Sequence, residues 1–178
     1  MVMKIGIGLC PRIFSINIAR GKWKTLQISL NGQTTIDIIS RLGMTLKDTS
    51  GMSLDVLSQY LGNVEAAVRQ LVDVYIEHYE EEILGAKRAN LRIRVRFSSG
   101  HLLELNEAFF VERKRIKHLG YRYHFQDTQN NLVFRYDNTP HFPGLENFPH
   151  HKHLRDEVSP AEKPSINKVI EEARRLAQ

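Results

Sequence analysis

The eight residues "NLRIRVRF" at 90–97 alternate without a break, with Leu91, Ile93, Val95 and Phe97 apolar and Arg92, Arg94 and Arg96 between them. A period of two sends successive side chains to opposite faces of a pleated strand, so one face must be buried while the other stays charged. The same period returns three times downstream. After a turn at "SSGH", "LLELNEAFFV" places Leu103, Leu105, Phe109 and Val111 inward. "YRYHFQD" alternates Tyr121, Tyr123 and Phe125 with Arg122, His124 and Gln126, and "LVFRYDN" sets Leu132, Phe134 and Tyr136 against Val133, Arg135 and Asp137. "TQNN" is turn-forming by composition, and "ERKRIKHLG" reads as a basic connection. "VYIEHYEEEIL" alternates well enough for a further strand.

Two helices flank these strands. In "SLDVLSQYLGNVEAAVRQLV", Leu57, Leu61, Val64, Val68 and Leu71 recur at spacings of four and three, the stripe of an amphipathic helix from about Ser53 to about Asp73. Near the other end, "PSINKVIEEARRL" has Ser165 as a cap and Ile166, Val169, Ile170 and Ala173 on one side. The expected fold is α+β: an N-terminal amphipathic helix on one face of a four- to five-stranded antiparallel meander, then a His/Pro-rich loop and a short C-terminal helix. The free face of the meander would carry Arg92, Arg94, Arg96, Arg122, His124, Gln126, Arg135 and Asp137.

Net charge divides the chain. Residues 1–51 hold seven Lys/Arg and two Asp, which accounts for the whole excess of +5, and residues 52–178 are neutral. The first segment shows no sustained helical or strand period. It is expected to be an appendage: either a genuine basic arm or codons upstream of a start at Met52, with 52–178 as a single domain. The apolar runs are too short to span a bilayer, and Pro11 and Arg12 interrupt any signal-peptide core. One cysteine, Cys10, excludes an internal disulfide, so the cytoplasm is the expected compartment.

Within the neutral domain charge is segregated. Residues 86–124 hold ten Lys/Arg and three Glu. Alternate strand residues stand about 6.7 Å apart, near the phosphate spacing of an extended single strand, so Arg92, Arg94 and Arg96 can track a nucleic-acid backbone. The bland reading is a solvated face cross-paired with Glu104.

Histidine is concentrated as well, at His124, His141, His150, His151 and His153, in and around "RYDNTPHFPGLENFPHHKHL". Imidazoles titrate near neutrality, so one can accept a proton while another donates. Metal-independent RNA cleavage needs that pair, with cations around the phosphorane. His124 would take one role and His151 or His153 the other, while Arg122, Arg135 and Lys152 stabilise charge. A metal competes for Asp137, His141, His151 and His153. A third reading is structural, with Pro140, Pro143 and Pro149 stiffening the loop over an Arg–Asp clamp.

"YRYHFQDTQNNLVFRYDNTPHFPGLENFPHHKHL", preceded by "NLRIRVRFSSGHLLELNEA", resembles the TumE-type toxin components of bacterial toxin–antitoxin modules. The similarity runs from about Met52 to about Ala173, densest at Arg122–His124, Arg135–His141 and Phe148–His153. The resemblance implies a small cytoplasmic toxin encoded beside a helix-turn-helix antitoxin that binds it. That likeness implies a type II module, and residue chemistry adds the expectation of a metal-independent endoribonuclease without cofactor. His124, His151, His153, Arg122, Arg135 and Asp137 would be its catalytic set, and Arg92, Arg94, Arg96 and Lys152 its RNA contacts. The alternatives are a toxin that binds RNA or another target without chemistry, and a metal-dependent nuclease.

Overall fold

The computed structural model describes residues 12–17, 23–28, 51–85 and 87–178, with side chains from residue 55 onward. Strand β1 (Arg12–Asn17) and strand β2 (Trp23–Ile28) form an antiparallel hairpin. Helix α1 (Gly51–Arg69) follows, then strands β3 (Val74–Ile83), β4 (Arg88–Phe97), β5 (Leu102–Glu112), β6 (Arg115–Gln126) and β7 (Leu132–Asp137). Two three-residue strands, β8 (His151–His153) and β9 (Val158–Pro160), precede helix α2 (Ile166–Leu176). Strands β3 to β9 pair in sequence order as a seven-stranded antiparallel sheet, and β1 joins its edge parallel to β3. No helix among the described residues is long and apolar enough to cross a membrane.

The α+β architecture is as expected, but the meander is longer. Part of the expected His/Pro loop is strand, because "HKH" pairs with β7 through Arg135–His153 and Asp137–His151. "ERKRIKHLG" is not a connection. It holds the end of a hairpin in which Arg113 and Lys114 take φ of 47° and 61°, so β6 begins at Arg115. Two left-handed residues suit the twist of a two-residue hairpin turn, a position that favours Asn-Gly. Arg and Lys occupy it at about 1 kcal/mol each. Replacing Arg113→Asn and Lys114→Gly together is therefore expected to stabilise the protein by about 1 kcal/mol and raise Tm by about 3 °C. An unchanged or lower melting temperature would contradict this turn geometry. Of residues 1–51, only β1, β2 and the first residue of α1 are described. Whether the rest is a basic arm or precedes a start at Met52 lies outside the described residues.

The alternation read from sequence is realised as burial. Leu91, Ile93, Val95, Phe97, Leu103, Leu105, Phe109, Val111, Tyr121, Tyr123, Phe125 and Phe134 all face the core. Leu57, Leu61, Val64 and Val68 of α1 cover them, with Ile166, Val169, Ile170 and Ala173 of α2. Helix α2 starts where Ser165 accepts a hydrogen bond from the Lys168 amide. One face of the sheet is thus sealed by helices, and the other carries most of the polar residues of β4 to β8.

Carboxylates also sit on the sealed face, among them Glu81, which accepts from Tyr79, and Glu107. Glu107, inward between Leu105 and Phe109, is buried and accepts hydrogen bonds from Tyr60, Tyr123 and Lys163. His118 lies 3.1 Å from the same carboxylate. Burial alone would raise the Glu107 carboxyl. His118, Lys163 and Tyr123 outweigh it and bring the group down to about 2. Burial and that carboxylate push both tyrosine hydroxyls far up, so they remain donors.

Candidate functional site

Two registered rows cross the polar face. One runs Glu80–Arg92–Asn106–Arg122–Asp137–His151, and the next runs His78–Arg94–Glu104–His124–Arg135–His153. Cross-strand partners share a face, so the pleat itself sets Arg122, His124, Arg135, Asp137, His151 and His153 together on β6, β7 and β8.

The rows converge at β7 and β8. Asp137 is buried, its Oδ2 accepting from Arg135 Nε at 2.9 Å and its Oδ1 from the Thr139 amide at 3.0 Å. His151 Nε2 lies 3.2 Å from Asp137 Oδ1 and 2.9 Å from His153 Nε2. The third imidazole comes from the loop after β7, where the His141 ring sits 4.8 Å from that of His151 and 5.8 Å from that of His153. Phe142 covers the group edge-on, 5.2 Å from His151 and 5.7 Å from His153.

Hydrogen bonding fixes which ring nitrogens are bare. His151 Nδ1 lies 2.9 Å from the Pro149 carbonyl, which can only accept, so Nδ1 carries a proton. Arg135 Nη2, which can only donate, lies 2.8 Å from His153 Nε2, so that nitrogen accepts. In neutral rings, both Nε2 atoms therefore carry lone pairs beside the Asp137 carboxylate, and that of His153 is taken up by Arg135. Burial, then the Arg135 cation, lowers the His153 imidazole to about 4. Asp137 is held below the usual carboxylate range although burial raises it, because Thr139, His151 and Arg135 favour the anion.

His124 is on this face but outside the convergence. Its Nε2 bonds Gln126 at 3.0 Å, and its buried Nδ1 has no partner. No hydrogen bond, ion pair or ring contact joins it to His151. Burial and the neighbouring Arg122 and Arg135 cations lower its basicity. The imidazoles that meet are His151, His153 and His141, rather than the expected pair of His124 and His151.

The arginines are placed differently from one another. Arg94 donates to Glu77 at 2.6 Å and to Glu104 at 3.0 Å, and Arg96 donates to Glu77 at 2.6 Å and to the Gly100 carbonyl at 3.1 Å. Arg92 reaches Glu80 only at 3.4 Å. These carboxylates already neutralise the row, as the cross-strand reading anticipated. Arg122 makes no hydrogen bond or ion pair among the described residues, although it lies beside Asp137 in register. Lys152 stands on the helix face instead, where its ammonium donates to Glu172 at 2.7 Å.

Residues not singled out from the sequence complete the face. Ala108 and Gly120 are register partners, and the methyl of one and the bare backbone of the other floor a recess of about 330 Å³ edged by Asn90, Arg92, Asn106 and Arg122. A Cβ on Gly120 would meet only Asn138 Oδ1, at 3.9 Å, so this floor is open. Two small residues at consecutive inter-row positions of neighbouring strands are the sequence signal for it.

A family model described as Toxin TumE matches residues 64–177, nearly two thirds of the chain, and this span contains every residue of the convergence. No curated protein and no solved structure gave a significant match.

Proposed function

We propose, from the premise that this chain belongs to the TumE toxin family, that it is a toxin that cleaves RNA on the polar face of its sheet. The observation that supports the reading is the meeting of three imidazoles, a buried carboxylate and the Arg135 guanidinium around β7 and β8, with Arg122 opposite Asp137 in register. A phosphodiester needs cations at its non-bridging oxygens and a group that moves a proton from the attacking oxygen to the leaving 5′-oxygen. Arg122, unpaired and beside the recess, is the phosphate ligand. Arg135 supports it from the next row, and the cluster of Asp137, His141, His151 and His153 is the reacting centre. Arg92, whose ion pair is the longest of the row, extends the phosphate track. Arg94 and Arg96 bind RNA only by giving up carboxylates they already hold. A helix-turn-helix antitoxin of a type II module is the partner that would neutralise the protein.

The test uses antitoxin-free protein and end-labelled single-stranded RNA. The wild-type chain is expected to cut it. Arg122→Ala should lower cleavage by about 10- to 100-fold, as loss of a charge-stabilising donor does, and Arg94→Ala by much less. Intact RNA with the wild-type chain would leave a toxin that binds without chemistry. Equal losses in the two variants would remove Arg122 from its assigned role.

A further inference from the structure

We propose that Asp137, His141, His151 and His153 form a binding site for a first-row transition-metal dication of the zinc class. One ligand atom from each of the four lies within 4.8 Å of all the others. Tetrahedral zinc with ligand distances of about 2.1 Å sets its donor atoms about 3.4 Å apart, so closing the site needs a movement of about 1 Å. The movable donor is His141, which is exposed and lies on the loop after β7. The other three are fixed by the β7–β8 register.

The spacing of the bare ring nitrogens points to the same ion. The His151 ring is oriented by a bond from its far nitrogen to the Pro149 carbonyl, the outer contact that metal-bound imidazoles commonly make. Its Nε2 then points at His153 Nε2 from 2.9 Å and at Asp137 Oδ1 from 3.2 Å. Three atoms able to act as ligands gather here, two of them on residues at least nine-tenths buried, and the cation they now meet is the Arg135 guanidinium. Imidazole-rich sets select zinc, copper, iron or nickel over magnesium, calcium and manganese, which suit oxygen shells.

Arg135 is the group the ion must displace. Its Nη2 holds His153 Nε2, and its Nε holds Asp137. Metal binding takes the first contact and leaves the second, which frees one edge of the guanidinium beside Arg122. The inference deepens the ribonuclease reading by naming what the cluster holds. It rests on that reading for the ion's use and not for its binding.

The experiment strips tag-free full-length protein with chelator, adds Zn²⁺, desalts, and measures metal content and thermal melting. The expected result is about one zinc per chain with a raised Tm. His141→Ala, an exposed position whose loss leaves the core intact, should weaken zinc binding by at least about 10-fold, and His153→Ala likewise. His78→Ala, on the same face but outside the cluster, should bind as the wild type does. No retained zinc in the wild type, or equal retention in a His141→Ala/His153→Ala double variant with a wild-type circular dichroism spectrum, would overturn the site. One zinc bound with RNA left intact upholds the site and removes the ribonuclease reading. Cleavage by protein that retains no zinc does the reverse.

Discussion

Replacement of His151 by alanine is expected to abolish growth arrest when the protein is induced without antitoxin, and to lower RNA cleavage by about 10³-fold or more. The size follows from position. His151 is buried at the centre of the convergence, and its Nε2 is within 3.2 Å of both Asp137 and His153. Whether that nitrogen carries a proton or an ion, no other side chain can take its place. His124→Ala, a change one row and two strands away, should cost less than about 10-fold, since that imidazole is tied to Gln126. Circular dichroism separates lost chemistry from lost folding, and His151→Gln offers a variant of similar volume. Full toxicity in a folded His151→Ala protein would remove the cluster from the mechanism.

The second large effect lies on the other face. Glu107→Ala should destabilise the fold by about 3 kcal/mol, because it leaves the half-buried Lys163 without its anion and two tyrosine hydroxyls without their acceptor. The same carboxylate predicts a pH dependence. Its folded value of about 2 lies below its ordinary 4.5, so the folded state favours the charged form. The resulting stabilisation, about 3 kcal/mol by linkage, is fully present above pH 4.5 and is lost as pH falls towards 2. Urea unfolding at pH 7 and at pH 3 measures it. The wild type should lose about 2 kcal/mol of this increment by pH 3, whereas Glu107→Ala should lose less. Equal stability of the two proteins at pH 7 would refute the assignment.

Much of this was legible from period-two alternation alone. The inward sets of β4, β5 and β6 were readable because no polar residue interrupts "LRIRVRF" or "YRYHF" on the apolar side. Glu107 was readable too, as a carboxylate at an inward position that must find buried partners. One of those partners was not. A register shift between Ala108 and Phe109 sets His118 opposite Phe109 and turns it inward, and no pattern in "IKHLG" announces that bulge. The β5–β6 hairpin was hidden for a similar reason, since Arg113 and Lys114 occupy a turn that ordinarily shows Asn and Gly.

At the site, alternation in "HKH" already separates Lys152 from His151 and His153, and the sheet obeys it. Grouping Lys152 with the phosphate ligands ignored that period. The grouping of His141 with Asp137, His151 and His153 was read from sequence as one of the alternatives, whereas the path of the loop containing Pro140 and Pro143 depends on what it packs against. The neutralisation of Arg94 and Arg96 by Glu77 required knowing that β3 lies beside β4.

The central claim is that RNA is engaged on the polar face between β6 and β8, and amide chemical-shift mapping with a short RNA oligomer tests it most directly. The account predicts that the largest shifts fall on Arg122, Arg135, Asp137, His151 and His153, with the loop around His141, while α1 and α2 stay unperturbed. Shifts concentrated on the helices, or no shifts at RNA concentrations that support cleavage, would contradict it.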